Sequence, residues 1–278
     1  MVTYNYNVGD ATGFKMNFET IPGVLPEDTL FIHGNLASNR WWYPSAEIWK
    51  KKANGKNLKG SLIMAEWRGC GKSSKPNPEH VEMKRFASDY VSFLKHMGYS
   101  ADKNVNVVGH STGGLIAVLA MHQEPKMFNK AILLDPVGAR GVKFDQAMTA
   151  AFEAMKRDKA LLAAVIGSTI FNNNAESRYF QEMIVEDGFT AVNNVGDLVL
   201  KSLDGLDITH QAKEVKNPTL VLHGEHDHLL PAKHSQELAD LLPNGKFQWI
   251  EKQGHCANVE NAEKFVAIVD AYLFSTAH

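Results

Sequence analysis

Gly109-His110-Ser111-Thr112-Gly113 is a G-x-S-x-G pentapeptide, set between a strand-like run, Val105–Val108, and an apolar helical start, Gly114–Ala120. A sharp strand-to-helix turn would force the central serine into a strained backbone conformation and project its hydroxyl above a sheet edge. Glycines two positions to either side would admit the close approach of the two backbones. The same five residues could also be a loop that only turns the chain, so the partners decide. A serine hydroxyl is a poor nucleophile at neutral pH and needs a base, which in turn needs an orienting carboxylate. Past the strand-like run Thr219–His223 comes Gly224-Glu225-His226-Asp227-His228-Leu229-Leu230-Pro231. Past Lys246–Glu251 comes Gly254-His255-Cys256-Ala257-Asn258. Asp227 and His255 thus follow the C-terminal ends of strands, at the edge where open α/β sheets bind ligands. With Ser111 they stand in the order Ser…Asp…His.

The elements needed to position these groups are legible. Strand-like runs at Asn5–Gly9, Lys15–Thr20, Thr29–His33, Ser61–Glu66, Asn104–Gly109, Lys130–Asp135, Thr219–His223 and Lys246–Glu251 alternate with helical stretches. The alternation predicts an α/β fold, a mostly parallel eight-stranded sheet with helices on both faces. Continuous apolar runs such as Leu220-Val221-Leu222 suit strands buried on both sides. The first two runs are expected to pair as an edge hairpin. Between Asp135 and Asn217 the alternation stops, and helices are predicted over Phe144–Ile170, Ser177–Asp187 (ending near Gly188) and Thr190–Leu203 (ending near Gly205). This block reads as a helical cap over the C-terminal edge of the sheet. The expected organisation is a core of residues 1–137 and 213–278, interrupted by a cap at 138–212.

Taken together, His33-Gly34-Asn35, Arg68-Gly69-x-Gly71, the turn around Ser111, Gly224-x-x-Asp227-x-x-x-Pro231 and Gly254-His255 resemble the α/β-hydrolase superfamily, over essentially the whole chain. That resemblance implies Ser111 as nucleophile, His255 as base and Asp227 as orienting acid. It also implies an oxyanion hole made by the backbone N–H groups of Thr112 and Asn35, which would bind the charge developing on a carbonyl oxygen. The motifs are specific for the fold and for a serine hydrolase, but not for a substrate. There are two departures. Many relatives carry Asp where this chain has Glu66, in a segment read here as a structural loop. His33-Gly34-Asn35 resembles the version in haloalkane dehalogenases, whose asparagine side chain helps hold the leaving halide or oxyanion. Those enzymes use an aspartate nucleophile, so serine at position 111 disfavours halide displacement and epoxide opening.

Several features carry competing readings. Gly71-Lys72-Ser73 ends like a phosphate loop, but the position that should be its first glycine is Glu66, and Pro76 and Pro78 break the helix that should follow. His223, His226 and His228 crowd around Asp227, yet no second cluster completes a metal-ligand spacing. Asp135 also ends a strand on the reactive edge and is the rival for the acid; the Gly-x-x-Asp-x-x-x-Pro match favours Asp227. Cys256 reads as a small buried filler. Trp41, Trp42, Met148, Met155 and Met183 could line a pocket, with core packing the default.

Composition bounds the rest. The chain has 278 residues, 44% hydrophobic and 22% charged, with a formal net charge of −2. Near-balanced charge argues against nucleic acid or anionic membrane as partner. No apolar run approaches the ~18 residues of a membrane span, and the N-terminus lacks the pattern of a signal peptide. Two cysteines, Cys70 and Cys256, make no disulfide framework. The expectation is a cytoplasmic serine carboxylesterase acting on small to medium esters, without metal or organic cofactor, its oligomeric state left open. Cleavage of a carbon–carbon bond in a vinylogous diketone, lactone opening and peroxyacid formation could use the same triad. A hydrolase-fold receptor with a slow triad is the alternative outside the enzyme class.

Overall fold

The computed structural model describes residues 2–8, 13–24, 27–56 and 58–274. Eight strands form one sheet: β1 (Val2–Asn7), β2 (Lys15–Ile21), β3 (Thr29–Ile32), β4 (Leu62–Ala65), β5 (Val105–His110), β6 (Phe128–Leu134), β7 (Thr219–Gly224) and β8 (Gly245–Ile250). Their order across the sheet is β1-β2-β4-β3-β5-β6-β7-β8. β1 and β2 pair antiparallel, β2 pairs antiparallel with β4, and every later pairing is parallel. All eight expected strands are present, and the first two form the edge hairpin; Gly9, expected to end the first, lies outside the described residues. Every residue of β3, β4, β5 and β7 is buried, as strands covered on both faces require.

Helices cover both faces. α1 (Tyr43–Ala53) follows β3, α2 (Met83–His96) follows β4, and α3 (Thr112–Gln123) follows β5. α2 and α3 pack Phe86, Phe93, Leu115 and Leu119 on one face, while α1 joins the C-terminal helix in burying Trp42, Trp49, Phe265 and Val269 on the other. Burying one such aromatic or aliphatic side chain is worth about 1.5–3 kcal/mol.

Between β6 and β7 lie α4 (Gln146–Met155), α5 (Lys159–Thr169), α6 (Glu186–Ala191), α7 (Asp197–Leu203) and α8 (Thr209–Glu214). The stretch expected as one helix over Phe144–Ile170 is two, because Asp158 leaves helical geometry and caps α5 through a bond from the Leu161 N–H. Conversely, the expected break near Gly188 does not occur. π-helical turns at Phe180–Val185 and Val192–Gly196 carry the chain helically through α6 into α7. Gly188 is there for closeness and not to end a helix: a Cβ on it would lie 2.4 Å from the Ile166 Cδ1 atom. Phe152, Leu162, Ile166, Phe180 and Ile184 form a separate apolar cluster that reaches Trp41 and Cys256 at the sheet edge. Ile208 and Ala212, at α8, pack instead with the sheet core. Past β7 come α9 (Ala232–Leu241), then α10 (Ala257–Glu260) and α11 (Ala262–Leu273). Among the described residues no helix is long and apolar enough to cross a membrane.

Candidate active site

Ser111 is the hinge of the β5–α3 turn, with φ 54° and ψ −121°. Such a left-handed conformation is strained for a residue with a Cβ and is held here from several sides. The Ser111 N–H donates to Leu134 O at 2.9 Å, and its carbonyl accepts from Gly114 N at 2.9 Å and Val137 N at 3.1 Å. The flanking glycines are sterically required. A Cβ on Gly113 would meet the carbonyl oxygens of Ile32 and His33 at 2.4 Å, and one on Gly109 would meet Gly113 O at 2.4 Å. The helix therefore starts hard against the end of β3, beside the His33-Gly34-Asn35 turn.

Asp227 and His255 are brought together by the loops after β7 and β8, which press backbone on backbone: a Cβ on Gly224 would lie 2.0 Å from Gly254 O. His226 N–H donates to Gln253 O across the same seam at 2.7 Å. The His255 Nδ1 atom hydrogen-bonds the Asp227 Oδ2 atom at 2.7 Å. The other carboxylate oxygen accepts the Leu229 and Leu230 N–H groups at 2.7 and 3.1 Å. Burial opposes a charge on Asp227, but its bonds to His255 and to these amides hold its carboxyl below the usual value. Two residues not singled out in the sequence fix the histidine loop. Glu260 accepts the N–H groups of Phe171, Gly254 and Cys256. His110 places Nε2 2.8 Å from His255 O. Burial lowers the His110 pKa to about 3, so the ring is neutral and Nε2–H is the donor. No local pattern marks Glu260; His110 occupies a free position of the pentapeptide.

Ser111 and His255 face one cavity of about 410 Å³, with Asn35 and Thr112 in its wall. Trp41, Val137, Met148, Phe152, Ile166 and Leu229 make most of the remaining lining apolar. The Thr112 N–H opens α3 and has no acceptor within the helix. The Asn35 side chain is held by backbone groups on both ends: Nδ2 donates to Gly196 O at 3.0 Å and Oδ1 accepts from Leu36 N at 3.0 Å.

Residues 60–262 match the hydrolase family model described as serine aminopeptidase, S33. The chain belongs to this α/β-hydrolase family. It is 25% identical over 226 residues to a 2-hydroxymuconate semialdehyde hydrolase of Pseudomonas putida, covering 76% of each chain. Its fold is shared with a bromoperoxidase of Bacillus anthracis, at TM-score 0.83, 20% identity, and coverage of 99% of this chain and 100% of that one. An esterase of Exiguobacterium antarcticum aligns at TM-score 0.80 and 19% identity, over 95% and 97% of the two chains.

Only some of the remaining sequence candidates of this α/β-hydrolase lie at that cavity. Asp135 is completely buried beside Asp227 and its Oδ1 accepts from the Gly224 N–H at 2.7 Å, with no hydrogen bond to His255. The three neighbouring histidines do not converge: His223 lies 2.9 Å from Ser235 Oγ, His226 packs tilted against Phe171, and His228 is exposed. The groups that do cluster are Asp135, Asp227 and His255, with one ligand atom of each within 4.8 Å of the others. Two zinc ligands at ~2.0–2.1 Å in tetrahedral geometry would stand ~3.3 Å apart, so the 2.7 Å between His255 Nδ1 and Asp227 Oδ2 is a hydrogen bond. Met148, Met155, Trp41 and Cys256 line the cavity, whereas Met183 does not. Trp42 is core, tilted against Phe31. Burial pushes the Cys256 thiol well up, which keeps it protonated.

The phosphate-loop lookalike already holds a carboxyl group of its own. Glu66 lies inside the turn, accepting from Lys72 N at 2.8 Å and Asn17 Nδ2 at 2.9 Å. A Cβ on Gly71 would sit 2.1 Å from its carboxylate. The cradle is filled by a side chain of the protein.

Proposed function

We propose that this α/β-hydrolase cleaves carboxylic esters of small to medium size through an acyl-enzyme on Ser111. The observation that carries the reading is the Asp227–His255 hydrogen bond, placed at the same cavity as a serine held at positive φ. Because Nδ1 of His255 is committed to Asp227, Nε2 is the nitrogen left to take the Ser111 proton. The serine oxygen attacks the ester carbonyl, and the Asn35 and Thr112 N–H groups receive the oxyanion. The α3 N-terminus adds its positive end to that stabilisation. Protonated His255 then gives its proton to the departing alcohol. Water, activated by the same imidazole, releases the acid. The apolar wall suits an acyl chain, and the chemistry draws on no metal or organic cofactor.

A fluorophosphonate probe should label the intact protein and not Ser111→Ala. Equal labelling of both proteins would overturn the assignment of the nucleophile. A panel of p-nitrophenyl esters of rising chain length then tests the substrate class. Multiple turnover separates an esterase from a receptor that cleaves once or very slowly. Carbon–carbon hydrolysis is the second reading, favoured by the similarity to the 2-hydroxymuconate semialdehyde hydrolase. A vinylogous diketone turned over faster than every ester would select it.

A further inference from the structure

The acid beside Asp227 has no duty in the chemistry above. Asp135 follows β6 directly, at φ 43°, its side chain 0% exposed. Oδ1 accepts from the Gly224 N–H, while Oδ2 is buried with no hydrogen-bond partner among the described residues. A carboxyl oxygen sealed from water and left without a donor is costly as an anion, and far less so as O–H. The groups facing it bring no permanent cation. Asp227, whose side chain is also 0% exposed, places a carboxylate oxygen within 4.8 Å and shares the space with His255. His223 Nδ1 is 3.4 Å away, but that ring is pushed toward its neutral form by burial. Glu260 adds a further carboxyl nearby, itself raised by burial. Two adjoining carboxylates in one dry site cannot both ionise cheaply.

Asp227 has a vacancy for a donor. Its three hydrogen bonds, from Leu229 N, Leu230 N and His255 Nδ1, leave one of about four lone-pair positions unfilled. We propose that Asp135 is a neutral carboxylic acid whose Oδ2 proton is donated to the Asp227 carboxylate, so that the acid orienting His255 is itself oriented by a second acid. Burial and the neighbouring Asp227 charge both raise the Asp135 pKa, in agreement with this geometry. Asp135 is then a positioning residue. It pins the plane of the Asp227 carboxylate, and no proton needs to leave it during turnover. Its influence on catalysis rests on the triad reading of Asp227; its protonation does not.

The decisive measurement is therefore of charge. Asp135→Asn should leave the native isoelectric point unchanged, because a neutral acid is replaced by a neutral amide. Asp240→Asn, at an exposed position on α9, removes one negative charge and should raise it. An equal rise for Asp135→Asn would overturn the proposal. Aspartate-selective carbon-13 labelling makes the test independent of any variant's folding. The wild-type infrared spectrum at neutral pH should contain one protonated aspartate carbonyl band, and its absence would also overturn the proposal. In kinetics, Asp135→Asn keeps both a donor and an acceptor and should hold kcat within about threefold. Asp135→Leu should lower kcat by about tenfold or more with KM little changed, if both proteins unfold at similar temperatures. Loss in Leu without rescue in Asn would refute the donor role. A neutral Asp135 in a protein inactive on every ester would leave this inference standing and remove the esterase reading instead.

Discussion

The imidazole of His255 can act as a base toward Ser111 only if its tautomer and ring plane are set, and Asp227 Oδ2 at 2.7 Å is the group placed to set them. Asp227→Asn keeps the shape but can present an amide N–H to Nδ1, favouring the wrong tautomer. Losing the orienting acid in the worked serine-protease case costs ~10⁴ in kcat. For Asp227→Asn we expect a fall of about 10²–10⁴ in kcat with KM nearly unchanged. Steady-state kinetics on a short aryl ester, with thermal unfolding as control, would read this directly. Should Asp135→Asn be the crippled variant and Asp227→Asn nearly wild type, the acid has been misassigned while Ser111 and His255 stand.

The β4–α2 loop shows how a carboxylate can serve as scaffold. Glu66 is 2% exposed, and burial raises its pKa to about 7 despite three donors aimed at it. The unfolded chain releases this proton near pH ~4.3. Between those values the native state holds the extra proton, so this group's contribution to stability falls as pH rises and levels off above the folded pKa. At 1.36 kcal/mol per unit the loss between pH 5 and pH 8 is about 2–3 kcal/mol. Urea unfolding of Glu66→Gln should show a shallower decline over that window than wild type; an identical slope would contradict it. The β5–α3 turn offers no such latitude. Gly113→Ala would drive a methyl group to 2.4 Å from the backbone oxygens of Ile32, the last residue of β3, and of His33 just after it. Neither strand nor helix can yield easily, so we expect at least about 3 kcal/mol of destabilisation or an insoluble product. Wild-type stability in that variant would mean the turn is looser than described.

The helices inserted between β6 and β7 are fastened to the sheet edge by polar ties as well as by apolar packing. Asp187 receives Arg40 Nε at 2.7 Å and also bonds Ser38 Oγ. Tyr179 donates to Arg40 O at 2.9 Å, and Asn35 donates to Gly196 O at 3.0 Å. This last bond joins the turn that lines the cavity floor to a π-helical turn of the inserted segment. One body of packed helices therefore forms the outer wall, and its side chains should set the acyl length accepted. Met148→Trp, on the half-buried cavity face of α4, should lower kcat/KM for an octanoate ester by about tenfold relative to acetate, the range that a few methylenes command. A parallel loss for both esters would show that the wall does not read chain length.

The parts written locally were legible in the chain. A strand, G-x-S-x-G and a helix follow one another directly, so the position of Ser111 needed no distant contact to be recognised. Eight strand-like runs in alternation with helices specify a mostly parallel sheet, and the continuous apolar ones among them, such as Leu220–Leu222, mark strands buried on both faces. Strand position alone does not separate Asp227 from Asp135, since each follows a strand on the same edge; the Gly-x-x-Asp-x-x-x-Pro match is what favours Asp227 in the sequence. Their roles diverge through contacts made across the fold: the β8 loop delivers His255 to Asp227, and the Gly224 N–H occupies one oxygen of Asp135. Gly188 looked like a helix end because glycine lowers helix propensity anywhere, and only the methyl group of Ile166 from another helix explains it. Glu66 reads as a departure from a motif until the chain folds back and aims the Lys72 N–H, six residues on, and the Asn17 amide, from β2, at its carboxylate. Local pattern thus selects the element and the reactive residue types, whereas burial, proton occupancy and the choice between equivalent carboxylates arise only when segments far apart in sequence exclude water from the same small volume.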